Sequence, residues 1–296
     1  MSGIIIGALM SQPTRSCIQV ARMLRLPVYF RHVRKGEVHG HDFRTLNPSN
    51  KIPVLAMTDD NNNGDDFVLY ESTAIARYLC GLAAERQLHL DRALPQIPPP
   101  ATVDTDAPAN NVDCSYVPPE QLYPSDLRAR AKVDTLLDWH HWFLRAGATS
   151  AVRRKVMCQF FPPEHSGLIE IEQTLPERDD RYLRHSLRVL EDKLAEQQRR
   201  AGSVDAPVFF GAEEQGRPDK FTLADIFVFH EIAQVQALLP NPDDNGNLDA
   251  HERVVEWLQR MRGESPAASG VLHTLDEFMH KVVGVGESAD DAVFGK

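Results

Sequence analysis

The chain of 296 residues is poor in cysteine, and its four cysteines are widely separated. No C-x-x-C pair occurs among Cys17, Cys80, Cys114 and Cys158. This spacing argues against a zinc site, a dithiol redox centre and a disulfide scaffold. We therefore expect free thiols and no metal site.

Long apolar runs and an excess of positive charge are also missing. No stretch of about 18 apolar residues occurs, and the N-terminus lacks the basic region and apolar core of a secretory signal. We expect no membrane partner and a cytoplasmic location. The net charge of -10 disfavours binding to a phosphate backbone, so nucleic acid is not an expected partner. An apolar content of 42% is enough for packed cores, and the length allows two domains.

A strand is predicted to meet a helix at Ser11. The run from Ile4 to Ile6 has the β-branched composition of a buried strand, whereas apolar residues from Cys17 to Leu24 recur at helical spacing. Pro13 suits the first helical position, where its missing N–H would be unpaired anyway. Such a junction directs backbone N–H groups and the positive helix end at one point, which favours an anion beside the serine.

Five further elements are predicted before residue 84. They are a strand over 27–33, a short helix over 42–46, a hairpin of strands 54–57 and 67–70 around Asn63-Gly64, and a helix that opens at 71–73. Pro53 stands inside an apolar run, so it marks an edge, a bulge or a tight turn, and a cis peptide is open to it. This order predicts a compact α/β domain over 1–83.

The rest of the chain is predicted to form a linker, a helical domain and a tail. Residues 84–120 are rich in proline and poor in apolar periodicity, which is typical of a linker or insertion. Helical spacing then predicts an all-α domain over 121–283, with Ser125 capping its first helix and Thr222 to Asp225 forming a capping box. Helices are expected over 252–262 and 271–283, and residues 284–296 form a flexible tail.

Six segments occur in the order of one known family. Together they resemble the glutathione S-transferases, with the theta class and the related bacterial dehalogenases the most similar. The resemblance implies an α/β thioredoxin-like N-terminal domain that binds glutathione and an all-α C-terminal domain that supplies much of the electrophile pocket. It also implies a homodimer. The segments are SQPTR (11–15), NPSNKIPVL (47–55), YES (70–72), YPSDLRARAKVD (123–134), LEDK (190–193) and FTLADI (221–226).

The resemblance implies two catalytic residues. Ser11 matches the serine whose hydroxyl donates to the glutathione sulfur, so the sulfur is the nucleophile and the serine stabilises its charge. A hydroxyl donor at a helix N-terminus lowers the pKa of a thiol from about 8.5. Arg145 matches an arginine directed toward the thiol, where a cation favours thiolate and helps a departing anion.

Four residues match the family positions that hold the cysteinyl and γ-glutamyl parts of glutathione. The backbone of Ile52 pairs with the cysteinyl portion, and Pro53 keeps that backbone out of the sheet. Glu71 matches the acid that meets the γ-glutamyl amine, and Ser72 matches the serine that holds its carboxylate at a helix N-terminus.

The glycyl end of glutathione is assigned less uniquely by the resemblance. Lys51 is placed to reach the glycyl carboxylate, together with a nearby histidine. Gapless counting puts the family histidine on Val38, so either His39 or His41 substitutes for it. Gln12, next to Ser11, completes the expected binding set. The expected reaction joins glutathione to a small electrophile such as a halide, an epoxide or an activated ester.

Three alternatives are weighed against this function. A non-catalytic interaction module is open, since the fold also serves in translation complexes, although the combined glutathione motifs favour binding. A thiol–disulfide oxidoreductase or dehydroascorbate reductase would need cysteine in place of Ser11. Residues 241–252 place oxygen ligands at EF-hand spacing, but Asn241 stands at the first position and Pro242 follows it, which argues against calcium.

Overall fold

The computed structural model describes residues 2–34, 36–58, 67–90, 116–155, 176–203, 208–210 and 220–264. Within them the fold divides into two compact units, one ending at Tyr123 and one running from Pro124 to Glu264. Several predicted features lie outside the described residues: the Asn63-Gly64 turn, Cys114, Cys158, the helix over 271–283 and the tail over 284–296.

The first unit is built on a mixed sheet of four strands in the order β2-β1-β3-β4. Strand β1 pairs parallel with β2 and antiparallel with β3, and β3 pairs antiparallel with β4. Parallel neighbours need a crossover connection, and helix α1 supplies it. This confirms the predicted α/β class. The elements are β1 (Ser2–Gly7), α1 (Gln12–Met23), β2 (Val28–His32), a 3₁₀ turn (Glu37–His39), α2 (His41–Leu46), β3 (Val54–Thr58), β4 (Phe67–Tyr70), α3 (Ser72–Leu90) and α4 (Pro119–Leu122).

Helix α1 packs closely on the end of β1. A Cβ atom built on Gly7 would lie 2.6 Å from both Oγ1 and Cγ2 of Thr14, so any larger residue there would push α1 away. Ile5, Cys17 and Ile75 are at most 1% exposed and carry the core from the sheet through α1 to α3. Burial of each large aliphatic side chain stabilises the unit by about 1.5–3 kcal/mol.

The second unit is helical throughout its described residues, as predicted. Its helix α8 forms the centre, because buried residues occur on all its sides. Helix α7 carries a stripe of leucines at helical spacing, whose members Leu183, Leu187, Leu190 and Leu194 are at most 1% exposed. The elements are α5 (Leu127–Trp139), a π turn (His140–Leu144), α6 (Arg145–Lys155), α7 (Pro176–Ala201), α8 (Leu223–Leu238), a 3₁₀ turn (Leu248–Ala250) and α9 (Glu252–Glu264).

The predicted capping box at the start of α8 is confirmed, and its acid does more than cap. Oδ2 of Asp225 accepts a hydrogen bond from the backbone N–H of Thr222 at 2.9 Å. Oδ1 accepts from the backbone N–H of Phe210 at 2.6 Å and from Nε1 of Trp257 at 3.2 Å. The carboxylate is fully buried, so it joins three separate segments of the unit.

Three local predictions differ from the structure. Asp126, not Ser125, caps α5: its Oδ1 accepts from the N–H groups of Arg128 and Ala129, because the helix begins one residue later than expected. Pro13 is the second residue of α1, where an N–H would also be unpaired. Helix α3 continues to Leu90, past the predicted start of the linker at 84, because residues 83–87 are strong helix formers.

Two predicted absences concern membranes and metals. Among the helices that the structure describes, none combines the length and apolar character that crossing a bilayer requires. The same residues hold no group of three or more histidines, cysteines or acids that could bind a metal ion. In the loop with EF-hand spacing, the side-chain oxygens of Asn241 and Asn245 accept backbone N–H groups of Asp243 and Leu248, so they fold the loop itself.

Candidate active site

Strand pairing brings the predicted binding segments to one end of the sheet in the first unit. Ile6 near the end of β1 is opposite Val54 at the start of β3, and Val54 is opposite Tyr70 at the end of β4. The segments that follow β1, precede β3 and follow β4 therefore all lie at the same end of the sheet. Gly7 is also opposite His32, so β2 ends there too.

Ser11 occupies the N-cap position of α1 without using its hydroxyl as a cap. Its backbone is extended, with φ -77° and ψ 114°, and its carbonyl oxygen accepts the first helical hydrogen bond from Arg15 at 3.1 Å. The side chain forms no capping bond, and the first turn contains no acidic residue. The hydroxyl and the positive helix end therefore suit an anionic ligand.

Arg15 fixes the loop that leads into Ser11. Its guanidinium is fully buried and Nη1 donates to the carbonyl oxygens of Leu9 and Met10 at 2.8 and 2.9 Å. These two residues directly precede Ser11 in the chain. A buried cation that satisfies backbone carbonyls holds the loop in one conformation, so Arg15 supports the position of Ser11.

The segment before β3 is held by a buried asparagine. The Ile52–Pro53 peptide is cis, one of the conformations that the sequence left open. Nδ2 of Asn47 donates to the carbonyl oxygen of Lys51 at 2.7 Å, and its Oδ1 accepts from the N–H of Ser49 at 2.9 Å. Asn47 is 2% exposed, whereas Lys51 is exposed at the surface. The loop thus presents Lys51 to solvent from a fixed backbone.

Glu71 and Ser72 form the entry to α3. The carbonyl oxygen of Glu71 accepts from the N–H of Ile75, and Glu71 has a φ of 69°, in the left-handed region that side-chain-bearing residues rarely adopt. Backbone outliers of this kind cluster at ligand sites. Ser72 starts the helix, and its carbonyl oxygen accepts from Sγ of Cys17 at 3.4 Å.

The three remaining predicted binding residues differ in exposure. His39 ends the 3₁₀ turn and His41 begins α2, and both are exposed, so the choice between them stays a prediction. The turn itself is anchored by Glu37, which pairs with Arg31 across 2.7 Å. Gln12 is 3% exposed and donates to Oγ of Ser16 at 3.2 Å, so its amide braces the first turn of α1.

The second predicted catalytic residue, Arg145, belongs to the helical unit. It is the first residue of α6, and its Nη1 lies 3.7 Å from Oε2 of Glu231. The Glu231 side chain is 3% exposed and that of Arg145 is 25% exposed. The guanidinium is therefore held from its buried side by a carboxylate.

Sequence reasoning left the roles of Arg15 and Glu231 unassigned. Each carries a charge in a segment that is otherwise buried: Arg15 among the buried residues of α1, and Glu231 within the apolar sequence of α8. A charge inside an apolar helix is rare unless it is paired, and that pattern was the available signal for Glu231. The polar sequence of α1 gave no such signal for Arg15. The partners, however, are distant in sequence or are backbone atoms, which a residue pattern does not reveal.

The chain is similar in sequence to known proteins. Residues 5–87 match the family model of the glutathione S-transferase N-terminal domain. Mouse glutathione S-transferase theta-3 is 31% identical over 186 residues, which cover 60% of this chain and 61% of the relative. Mouse theta-1 is 28% identical over 255 residues, covering 86% and 79%. In sequence, the chain is thus similar to theta-class glutathione S-transferases, and its residues 5–87 match the N-terminal domain of that family.

Solved structures of glutathione transferases have a similar fold. The apo form of human glutathione S-transferase T1-1 has a TM-score of 0.59 at 23% identity, covering 98% of this chain and 91% of that one. Human theta-2, in complex with glutathione, has a TM-score of 0.63 at 22% identity, covering 99% and 92%. In the alignment with mouse theta-3, the chain spans about three fifths of its relative's length.

Proposed function

We propose that this theta-like chain is a glutathione transferase that joins the glutathione thiol to small electrophiles, among them alkyl halides, epoxides and activated esters. The observation that carries the proposal is the geometry of Ser11, an N-cap whose hydroxyl makes no capping bond at a helix start without acidic residues. The proposal is supported by relatives that are named as theta-class glutathione S-transferases.

The groups at this end of the sheet suit a peptide with two carboxylates and a thiol. Helix α3 begins at Ser72 with no acidic residue in its first turn, which suits the γ-glutamyl carboxylate. Lys51 offers a cation to the glycyl carboxylate, and Glu71 offers an anion to the γ-glutamyl amine. The backbone at Ile52 and the cis Pro53 is the proposed contact of the central residue, and Gln12 with His39 or His41 completes the set.

When bound, glutathione supplies the sulfur nucleophile. The Ser11 hydroxyl donates a hydrogen bond to the sulfur and, with the N-terminus of α1, favours its thiolate form at neutral pH. Arg145 adds a positive charge that stabilises the thiolate and the departing anion. A sulfur–carbon bond forms as the bond to the leaving group breaks, so the side chains position and stabilise charge without forming a covalent bond themselves.

The test is conjugation by the purified chain. Loss of free thiol is followed with an alkyl halide and an epoxide, using glutathione and, as a control thiol, N-acetylcysteine, which lacks the γ-glutamyl and glycyl groups. We expect catalysed loss with glutathione only. Calorimetric titration with glutathione tests binding separately. Binding without conjugation of any electrophile would contradict the enzyme and favour the interaction module, and absence of binding at millimolar glutathione would contradict both the site and the function.

Association of two copies is part of the proposal. The family resemblance implies a homodimer, and most soluble oligomers are homodimers with two-fold symmetry. Sedimentation equilibrium at several protein concentrations measures the mass. A species of one chain mass at micromolar concentration would contradict the dimer.

A further inference from the structure

Four polar side chains meet inside the helical unit, and three of them have no part in the proposed reaction. Glu231 on α8 is at their centre and is 2% exposed. Its Oε1 accepts a hydrogen bond from Oγ1 of Thr149 at 2.9 Å. Its Oε2 lies 3.3 Å from Nε2 of His140 and 3.7 Å from Nη1 of Arg145. A buried carboxylate is costly unless such partners surround it, so the arrangement requires an explanation.

The π turn is what brings the three partners to one side. The backbone N–H of Arg145 donates to the carbonyl oxygen of His140, five residues earlier. In an uninterrupted α-helix, side chains five residues apart diverge by about 140°. The wider π turn places them on the same side instead. Thr149 follows one α-helical turn after Arg145 and shares its face. All three therefore face Glu231.

The charges of the cluster are set by burial and by these contacts. Burial by itself raises the pKa of Glu231, but the contact with His140, the charge of Arg145 and the bond from Thr149 outweigh it, so the pKa lies below its ordinary value. Burial lowers the pKa of His140 more than Glu231 raises it, while Arg145 and His141 lower it further. At neutral pH the cluster therefore holds a neutral imidazole, and the charge that faces Glu231 is that of Arg145.

We propose that Glu231 is a positioning residue that holds the direction of the Arg145 guanidinium and, through Arg145, promotes conjugation. The second half of this statement rests on the proposed function. Arginine has many rotamers, and a carboxylate fixed on another helix selects among them before the reaction begins. Positioning of a charged group before the chemical step lowers the barrier, because less ordering remains to be done. The π turn serves the same end by aiming Arg145 at Glu231.

The first measurement needs no catalytic activity. Glu231→Gln keeps the size of the side chain and an acceptor for Thr149 but removes the charge. Phenylglyoxal modifies accessible, unrestrained arginines, and peptide mass spectrometry gives the rate at Arg145. We expect that rate to rise several-fold in Glu231→Gln. Glu196→Gln is the matched control: it removes the exposed partner of Arg200 on α7, and we expect no change at Arg145.

An unchanged rate at Arg145 in folded Glu231→Gln would overturn the proposal. Circular dichroism establishes that the variant is folded. If it is not, Thr149→Val provides the same test, because it removes the bond that fixes Oε1 and leaves the charge in place. An unchanged rate at Arg145 in that variant would also overturn the proposal.

The second measurement separates positioning from a structural effect. The kinetic constants kcat and KM for glutathione are compared in the wild type, Glu231→Gln, Arg145→Met and the double variant. We expect Glu231→Gln to lower kcat about tenfold with little change in KM, and to have no further effect when Arg145 is absent. An equal loss in both backgrounds would show that Glu231 acts on the fold alone and would overturn the proposal. If the wild type does not conjugate glutathione, the proposed function fails, and the modification rate decides whether Glu231 holds Arg145.

Discussion

The Cys17 thiol donates a hydrogen bond to the carbonyl oxygen of Ser72 across 3.4 Å. Cys17 lies on α1 and Ser72 opens α3, so the bond joins the two helices whose N-termini form the candidate site. Burial raises the pKa of Cys17, which keeps the sulfur protonated and able to donate. The buried Cys17 thus also fixes the entry to α3.

Cys17→Ala should therefore affect glutathione binding as well as stability. Loss of the sulfur leaves a small cavity and removes a hydrogen bond to the Ser72 carbonyl, at a cost of about 1–3 kcal/mol in the free energy of unfolding. We expect KM for glutathione to rise, because Ser72 loses its support. Cys80→Ala is the control, since Cys80 is equally buried on α3 but has no bond to Ser72. Equal KM values in the two variants would argue against the role of the bond.

Ser11→Ala should leave the fold intact and lower kcat by about 10²-fold, the scale for losing one donor to an anionic centre. The thiol of bound glutathione should also regain a higher pKa, so the rate should rise at higher pH than in the wild type. Stopped assays across roughly pH 6–9 measure both the loss of kcat and the shift of the pH profile. This range includes the ordinary pKa of a thiol, about 8.5. Ser49→Ala, at an exposed serine near Lys51, is the control. An unchanged kcat and pH profile in Ser11→Ala would refute the assigned role.

Gly7→Ala should destabilise the first unit. The added methyl group would contact Thr14 at 2.6 Å, and overpacking of this kind costs about 1–3 kcal/mol. Thr14→Ala removes the two contacting atoms and should recover part of the loss. Gly81→Ala in α3 provides the contrast, since nothing lies within 4 Å of its Cβ, and it should stabilise the helix by up to about 1 kcal/mol. Urea denaturation of the wild type, Gly7→Ala, Gly7→Ala combined with Thr14→Ala, and Gly81→Ala gives the four free energies of unfolding.

Asp225→Asn should be among the most destabilising single changes in the second unit. The carboxylate accepts from the N–H of Phe210, the N–H of Thr222 and Nε1 of Trp257. In asparagine an NH₂ group replaces one of the two acceptor oxygens, so at least one of these three hydrogen bonds is lost. We expect each lost bond to cost about 2–3 kcal/mol, because it is a bond to a charged group. Asp126→Ala removes an exposed cap of the same kind and should cost only about 1 kcal/mol. Similar losses would contradict the bridging role of Asp225.

Stability should fall in alkali partly through Cys80. Burial is the main cause that raises the pKa of this thiol, from an ordinary 9.0 to about 12. The thiol of the unfolded chain therefore ionises first, and the stability that is fully present below pH 9 is lost as the pH rises toward 12. The unfolding temperature of Cys80→Ala should fall less steeply over this pH window than that of the wild type. Parallel curves would show that Cys80 does not contribute.

Local signals predicted most of the elements, because a strand, a helix start or a capping box depends on neighbouring residues. The strand and helix at Ser11, the box at Thr222 and the leucine stripe of α7 all follow from short-range spacing. Boundaries were less certain: Ser125 and Asp126 are both good caps, and only packing decided between them. The helix that continues to Leu90 shows the same limit, since helix propensity competes there with the prolines that follow.

The amino-acid sequence by itself determined the class of each unit and the resemblance to the glutathione S-transferases, from which the proposed glutathione contacts follow. These depend on residue types at short spacing, which can be recognised directly in the sequence. Only the tertiary structure decided that Arg15 holds the loop before Ser11, that Cys17 supports Ser72, and that a π turn directs Arg145 toward Glu231. Each of these is a contact with a backbone atom or with a residue remote in sequence. Such contacts arise from how helices and strands pack, and no short pattern encodes them.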